Sequence, residues 1–132
     1  QSLDLIKKIK RDRDLSVIFI THNLGVVANI ADRVAVMYAG KIVEYGDSET
    51  LYHSPKHPYT EALLSAIPVA HPRFRGKERI ILKGDVPSPI NPPKGCRFST
   101  RCLKAEAECF TKEPIRHELS DNGHEVACHL YR

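Results

Sequence analysis

The chain has 132 residues, of which 42% are hydrophobic and 27% charged, and its formal net charge is +4. This length suits one domain, or a small domain with an appendage, and the composition excludes a disordered or fibrous protein. No apolar stretch approaches the roughly 20 residues of a membrane span, so we expect no direct membrane insertion. Because the sequence opens with Gln1, in the middle of a helical pattern, we expect a part of a longer protein.

Charge, proline and cysteine are unevenly distributed along the chain. Residues 1–66 carry 8 Lys/Arg and 8 Asp/Glu, whereas residues 67–132 carry 12 and 8, together with seven of the nine prolines and all four cysteines. We therefore place a boundary near Pro68, between a first domain (1–67) and a linker with a small extension (68–132). The modest positive charge, without interleaved aromatic residues, argues against a nucleic-acid partner.

The first half alternates helical and strand patterns. Residues 2–13 have the apolar spacing of a surface helix. The run Val17–Ile20 is β-branched and aromatic without alternation, which favours a strand buried on both faces of a parallel sheet. A helix over residues 23–30 follows, and Thr21 or Asn23 is a suitable cap for its first backbone N–H groups.

Two strands and two helices are predicted next. Residues 33–38 and 41–45 form the strands, and the two-residue link Ala39-Gly40 has the length of a β-hairpin turn. Asp47 or Ser48 is expected to cap a short helix, and residues 58–66 form another helix with proline at its start. This order is typical of an α/β fold, of which the chain carries only the final strands and helices.

His22 is the candidate for chemistry in the first half. It follows the predicted buried strand, and ligands of open α/β sheets bind outside the carboxyl ends of the strands. A histidine there can donate a hydrogen bond to a phosphate oxygen or a water, although its position alone somewhat favours a polar residue that helps to start a helix. The 132 residues contain no G-x-x-x-x-G-K-[ST] loop, so this chain alone lacks the parts for phosphoryl transfer.

The second half is irregular and rich in cysteine. Residues 80–82 resemble a short strand, and the prolines that follow exclude regular structure as far as Gly95. Four cysteines then occur within 33 residues: Cys96, Cys102, Cys109 and Cys128. So small a unit needs a cross-link to stay folded, and the four cysteines could provide disulfides, a zinc site or a four-iron cluster. The remaining alternative is four free thiols. The gaps of five and six residues are wider than those of typical zinc sites.

Basic residues and histidines near these cysteines could affect their protonation or their role as ligands. Four basic residues surround the first two and would favour thiolates, although a solvated basic face is an equal alternative: Lys94, Arg97, Arg101 and Lys104. His124 and His129 flank Cys128 and are expected to be surface histidines rather than ligands. His57 precedes Pro58 and begins a helix that we expect to pack on the first domain without a catalytic role.

Several ungapped segments resemble a known family. Residues 17–24 (VIFITHNL) resemble the switch-histidine segment of ABC transporter ATPases, and residues 31–46 (ADRVAVMYAGKIVEYG) the strand pair that closes their nucleotide-binding domain. Residues 54–68 (SPKHPYTEALLSAIP) and 84–98 (GDVPSPINPPKGCRF) are similar to the C-terminal extension of the ATP-binding subunits of oligopeptide and dipeptide importers. With the cysteines, the resemblance covers essentially the whole chain.

The resemblance implies a function for the full-length subunit. ATP and Mg²⁺ would be its cofactors, and His22 would contact the γ-phosphate and help position the attacking water. The family's phosphate-binding loop and magnesium-binding acids precede the part matched here, so the isolated chain is expected to be inactive. Implied partners are transmembrane permease subunits and a second ATP-binding subunit, with a peripheral location on the cytoplasmic face of the membrane.

The resemblance also favours one reading of the cysteines. It implies a [4Fe-4S] cluster held by Cys96, Cys102, Cys109 and Cys128, with zinc as the alternative, because a cytosolic domain argues against disulfides. Two rival functions remain: a stand-alone metal-binding interaction module without a nucleotide role, and a redox enzyme whose cluster cycles reversibly.

Overall fold

The computed structural model describes residues 2–21, 24–66, 82, 84–119 and 123–131. Its elements, in chain order, are α1 (Ser2–Arg13), α2 (Leu24–Ile30), β1 (Arg33–Tyr38), β2 (Lys41–Asp47), α3 (Ser48–His53), α4 (Pro58–Ser65), β3 (Arg116–Glu118) and β4 (Glu125–Ala127). Two 3-10 turns, Ala107–Phe110 and His129–Tyr131, lie before β3 and after β4. None of the helices within these ranges combines the length and apolar character needed to cross a membrane.

The hairpin β1–β2 has the predicted turn. Ala39 and Gly40 have φ angles of 49° and 81°, and a two-residue type I′ turn requires positive φ at both central positions. In β1, buried and exposed residues alternate, so one face of the hairpin packs on the core and the other is open. The predicted hairpin is therefore confirmed, with β2 two residues longer than expected.

The helices that follow are also confirmed, but one cap is wrong. Helix α3 begins after Asp47, whose side chain makes no capping hydrogen bond. Asp47 instead accepts a 2.8 Å hydrogen bond from the Arg33 guanidinium. The hairpin places Arg33 directly opposite Asp47, so a charged partner competes successfully with the helix end for this carboxylate.

Both halves of the chain contribute to a single sheet. The strand order is β1-β2-β4-β3, and every pairing is antiparallel. The link between the halves is the pairing of Glu44 in β2 with Val126 in β4. Residues 84–95 form no helix or strand, as their prolines predicted, whereas most of the predicted strand 80–82 lies outside the described residues.

The core lies between the hairpin and helices α3 and α4. It consists of eight buried residues, and seven of them come from the first half: Val34, Val36, Tyr38, Val43, Leu51, Tyr52 and Leu64. The eighth is Phe98 from the second half, which is 1% exposed. Its ring makes edge contacts with Tyr38 at 5.1 Å and lies 5.3 Å from the Tyr59 ring. The second half is therefore anchored inside the core of the first.

The prediction of a buried strand at Val17–Ile20 is wrong for this chain. The four residues have no assigned strand, and Ile18 and Ile20 are 91% and 93% exposed. A β-branched run forms a central parallel strand only when neighbouring strands satisfy its backbone groups and helices cover both faces. No strand within the described residues pairs with this segment, so its β propensity alone does not produce one.

Candidate functional site

His22 lies outside the described residues. Its chain neighbours Thr21 and Leu24 are described, and Leu24 begins α2. A helix therefore does begin just after the predicted position of this histidine. The role of His22 toward ATP stays a prediction.

The four cysteines, in contrast, converge on one small cavity. All four are free thiols, and all four line the same cavity of about 10 Å³ together with His57, Phe98 and Ser99. This volume corresponds to a single water-sized group. We call this cavity, defined by Cys96, Cys102, Cys109 and Cys128, the cysteine cavity. No disulfide bond joins any two of these four cysteines.

Backbone contacts bring the cysteines together although the region has little regular structure. The Cys96 backbone N–H donates to the Cys109 carbonyl at 2.7 Å. Gly95 makes this approach possible, because a Cβ atom there would lie 2.3 Å from the same carbonyl oxygen. The Glu106 N–H donates to the Cys109 sulfur at 3.3 Å. Cys128 follows directly after β4, so the sheet delivers the fourth thiol.

Burial favours the neutral form of three of the four thiols. Burial raises the pKa of Cys96 and of Cys102, and it raises the pKa of Cys128 to about 11. Lys104 lowers the pKa of Cys102, but burial has the larger effect. The thiolates that basic neighbours would favour are therefore not found at Cys96, Cys102 or Cys128, because burial has the largest effect on the pKa of each. Two of those neighbours are engaged elsewhere: Arg97 donates to the Ala39 carbonyl at 2.7 Å, and Arg101 to the Tyr38 hydroxyl at 3.3 Å.

Within the described ranges, no group of three or more His, Cys, Asp or Glu side chains is placed to hold a metal ion. The four thiols share a cavity without forming the tight tetrahedral shell of a zinc site. As donors they are nevertheless a complete thiol set of the kind that holds an iron–sulfur cluster. Their assignment as metal ligands stays a prediction.

A second polar centre, which the sequence did not reveal, lies between the two halves. Glu44 is fully buried. Its carboxylate accepts hydrogen bonds from the backbone N–H groups of Lys56 and His57, both at 2.9 Å. On its other side, His124 Nε2 lies 2.6 Å from Glu44 Oε2. We call this arrangement the Glu44 centre, and it joins β2, the start of α4 and the second half through one side chain.

An irregularity in the hairpin explains why this glutamate points inward. The register of β1 and β2 shifts between Val36 and Met37, so that Glu44 lies opposite Val36. Directly opposed residues share a face of the sheet, and Val36 belongs to the core. The available sequence signal was a charged residue between Val43 and Tyr45, inside an apolar strand.

The Glu44 centre corrects the expectation for His124. This residue is 3% exposed, and therefore is not a surface histidine. His129 lines the cysteine cavity, and its Nε2 atom bonds the Lys112 carbonyl at 2.7 Å. Both histidines thus have protein partners of their own, and the prediction that neither replaces a cysteine as a ligand stays a prediction.

His57 lies between the Glu44 centre and the cysteine cavity. It has the extended backbone predicted for a residue before proline, and it caps α4 because its Nδ1 atom accepts from the Tyr59 N–H at 3.0 Å. Burial lowers the pKa of His57 to about 4, so the ring is neutral near pH 7. Its other nitrogen, Nε2, is buried without a hydrogen-bond partner. The predicted packing of this helix is confirmed, since Leu64 of α4 belongs to the core.

The chain is similar in sequence to one protein family and to several proteins of known type. The family model described as the oligopeptide/dipeptide transporter C-terminal region matches residues 43–109. The oligopeptide transport ATP-binding protein AppF of Bacillus subtilis is 48% identical over 132 residues, 99% of this chain and 40% of AppF. The dipeptide transport ATP-binding protein DppF of Haemophilus influenzae is 48% identical over 128 residues, 97% of this chain and 38% of DppF. The chain thus spans about two fifths of the length of these relatives.

Proposed function

Because the chain belongs to the oligopeptide/dipeptide transporter C-terminal region family, we propose that it is the C-terminal part of the ATP-binding subunit of an ABC importer of oligopeptides or dipeptides. The observation that carries this proposal is 48% identity over 99% and 97% of the chain to two peptide transport ATP-binding proteins. A stand-alone metal-binding module is not favoured, since the corresponding region of both relatives is part of an ATP-binding protein.

In the full-length subunit, ATP and Mg²⁺ are the cofactors and His22 serves hydrolysis. A histidine at this position donates a hydrogen bond to the γ-phosphate and helps orient the attacking water, so that it contributes to phosphoryl transfer by positioning. The 132 residues lack a G-x-x-x-x-G-K-[ST] loop. The isolated chain is therefore expected to hydrolyse no ATP.

The test of His22 uses the full-length subunit with its partners. His22→Ala should reduce ATP hydrolysis by at least about tenfold while ATP affinity changes less than about twofold, as for a group that acts mainly in the transition state. His53→Ala is the matched control, because His53 is an exposed histidine at the end of α3. Equal losses of binding and hydrolysis would contradict the assigned role, as would ATPase activity in the purified 132-residue chain.

The partners follow from the same assignment. Transmembrane permease subunits and a second ATP-binding subunit would complete the importer, with this subunit peripheral on the cytoplasmic face of the membrane. Replacing the full-length subunit by one truncated before Gly84 tests whether the second half takes part. Peptide uptake by membranes that contain the complete importer should fall, whereas unchanged uptake and assembly would show that residues 84–132 serve neither.

The four cysteines are the proposed ligands of a [4Fe-4S] cluster, with zinc as the alternative. The observation that supports a bound group is that all four thiols line one cavity. When bound, a cluster supplies a covalent cross-link and a one-electron couple. The cavity volume is about 10 Å³, which is smaller than a cluster, so binding a cluster would require the cavity to widen.

Metal content distinguishes the alternatives directly. Protein purified without oxygen should contain about four irons and four sulfides per chain if the cluster is bound. One zinc per chain without colour would support the zinc alternative. Cys102→Ser is expected to lose the group, whereas Thr100→Ala, at an exposed position nearby, is expected to keep it. The absence of iron and zinc from the unmodified protein would refute both alternatives.

A further inference from the structure

Two buried polar atoms at the cysteine cavity have no hydrogen-bond partner. They are Nε2 of His57 and Oγ of Ser99. Both residues line the cavity, and their exposures are only 1% and 3%. Buried donors without an acceptor are rare in folded proteins because burying them costs free energy. Two of them on the wall of one cavity therefore call for an acceptor inside it.

The proton of the His57 ring is placed by its neighbours. Its Nδ1 atom accepts a hydrogen bond from the Tyr59 backbone N–H at 3.0 Å, so Nδ1 carries no proton. A neutral imidazole then carries its proton on Nε2, which makes this atom a donor. The backbone is fixed as well, since the His57 N–H donates to Glu44 Oε1 at 2.9 Å. The ring is thus held in one orientation with one donor left over.

The remaining residues that line the cavity are the four cysteines and apolar side chains such as Phe98 and Leu130, together with Lys104 and His129. None of them is hydrogen-bonded to His57 Nε2 or to Ser99 Oγ. A neutral thiol accepts hydrogen bonds poorly, whereas a thiolate or an inorganic sulfide, being negatively charged, accepts them well. A sulfur atom that becomes anionic when the cysteines bind their group is therefore a suitable acceptor for these donors.

We propose that the Nε2–H of His57, assisted by the Ser99 hydroxyl, donates a hydrogen bond to an anionic sulfur of the group that the four cysteines hold. This inference rests on the proposed cysteine-held group and assigns His57 as a positioning residue rather than a ligand. Such donors stabilise the bound group and raise its reduction potential, because hydrogen bonds to sulfur offset the negative charge that the reduced form carries. The backbone N–H of the same residue donates to Glu44, so His57 connects the group to the Glu44 centre and through it to β2.

The experiment compares variants of the full chain purified without oxygen. His57→Phe removes the donor while it keeps an aromatic ring, His57→Gln restores an N–H near the position of Nε2, and Ser99→Ala removes the second donor. His53→Phe is the control, because His53 is exposed on α3. For each protein, iron, sulfide and zinc per chain are measured first, then the rate of metal release to a chelator and, where iron is present, the reduction potential.

We expect His57→Phe to release metal about tenfold faster than the unmodified chain, and Ser99→Ala to release it a few-fold faster. The rate of His57→Gln should lie between those of His57→Phe and the unmodified chain. With a cluster, the His57→Phe reduction equilibrium should shift about tenfold toward the oxidised form, or about 59 mV for one electron. Unchanged release rates and potentials in His57→Phe and Ser99→Ala, at full metal content, would overturn the inference while the proposed ligands stand. Absence of metal from the unmodified chain would overturn both. Circular dichroism identifies a His57→Phe protein that does not fold, in which case Ser99→Ala decides.

Discussion

The two regions of the molecule achieve order by different means. The hairpin region, residues 33–66, consists of two paired strands and two helices that enclose a core of aliphatic and aromatic side chains. The cysteine region, residues 84–119 and 123–131, has two strands of three residues each and two 3-10 turns. Several of its large apolar side chains are exposed: Val86, Ile90, Leu103, Phe110 and Ile115.

The difference shows how a region with little core of its own is kept in place. Within the described residues, the cysteine region is attached to the hairpin region at three buried points: Phe98 in the core, β4 beside β2, and His124 on Glu44. Small units that bury little apolar surface need additional constraints. Here, the hairpin region supplies the core, and the cysteine cavity offers a site for a bound group.

The largest effect is expected at Phe98. Phe98→Ala should lower the free energy of unfolding by about 3–5 kcal/mol, since it removes a fully buried ring and leaves a cavity. Urea unfolding measures the loss, and hydrogen exchange shows whether the cysteine region opens first. Phe110→Ala is the control, because Phe110 is 51% exposed, and should cost no more than about 1 kcal/mol. Similar losses for both would contradict the anchoring role of Phe98.

A smaller loss of unfolding free energy is expected when the Glu44 centre is changed. Glu44→Gln retains the shape of the side chain but replaces one acceptor oxygen by a donor, which leaves a buried N–H group unsatisfied. The expected cost is about 1–3 kcal/mol, with faster hydrogen exchange in β4. Glu49→Gln, on the exposed side of α3, should have little effect. If β4 exchanges at the unmodified rate in Glu44→Gln, the attachment of the two regions does not depend on this carboxylate.

A change inside the hairpin region should leave the cysteine region unaffected. The Tyr52 hydroxyl donates to the Leu24 carbonyl at 2.6 Å, so Tyr52→Phe should cost about 1 kcal/mol near pH 7. Burial raises the pKa of Tyr52 to about 12 from 10.0. The folded state therefore keeps the proton longer than the unfolded state, and this contribution is present below pH 10 and lost as the pH rises from 10 through 12.

Tyr52→Phe has no hydroxyl to ionise at this position, so it serves as the control for the pH dependence of the unmodified chain. Its stability deficit relative to the unmodified chain should shrink as the pH rises above about 10, in paired urea titrations at about pH 7, 10 and 11. A deficit that stays constant over this range would show that the hydroxyl has the same pKa in both states.

The smallest effect is expected at an exposed link between the regions. Lys41 Nζ and Glu113 Oε1 lie 3.2 Å apart, with about half of each side chain exposed. Glu113→Gln should change the unfolding free energy by less than about 1 kcal/mol, and salt should reduce the difference further. A larger loss that persists in about 1 M salt, where screening is strong, would mean that surface charge contributes to the attachment as much as the buried contacts do.

Predictions from the sequence succeeded where neighbours along the chain decide the structure. Helix α1, the Ala39-Gly40 hairpin turn and the helix that begins at Pro58 depend on local spacing and backbone preference, and the structure confirms all three. The prediction at Val17–Ile20 failed because a buried parallel strand depends on distant partners, and β propensity reflects packing more than an intrinsic preference.

The same distinction applies to the candidate site, part of which could be predicted from the sequence and part of which could not. The sequence identified four cysteines as one group, and the structure places all four on one cavity. It did not identify thiol burial, which raises the pKa of Cys96 and, at Cys102, outweighs the effect of Lys104. Nor did it identify Glu44 and His124, which are 80 residues apart in sequence. Burial and long-range pairing depend on the whole fold, and no local pattern encodes them.

By itself, then, the sequence determined the local elements and, through its motifs, the resemblance to the ATP-binding subunits of peptide importers. Only the tertiary structure decided how the second half is held, because a register shift between β1 and β2 turns Glu44 inward toward a histidine from the far end of the chain. Only the tertiary structure, too, left His57 with a buried donor beside four thiols. A hydrogen bond depends on where the chain brings its partners, and that is set by packing rather than by spacing along the sequence.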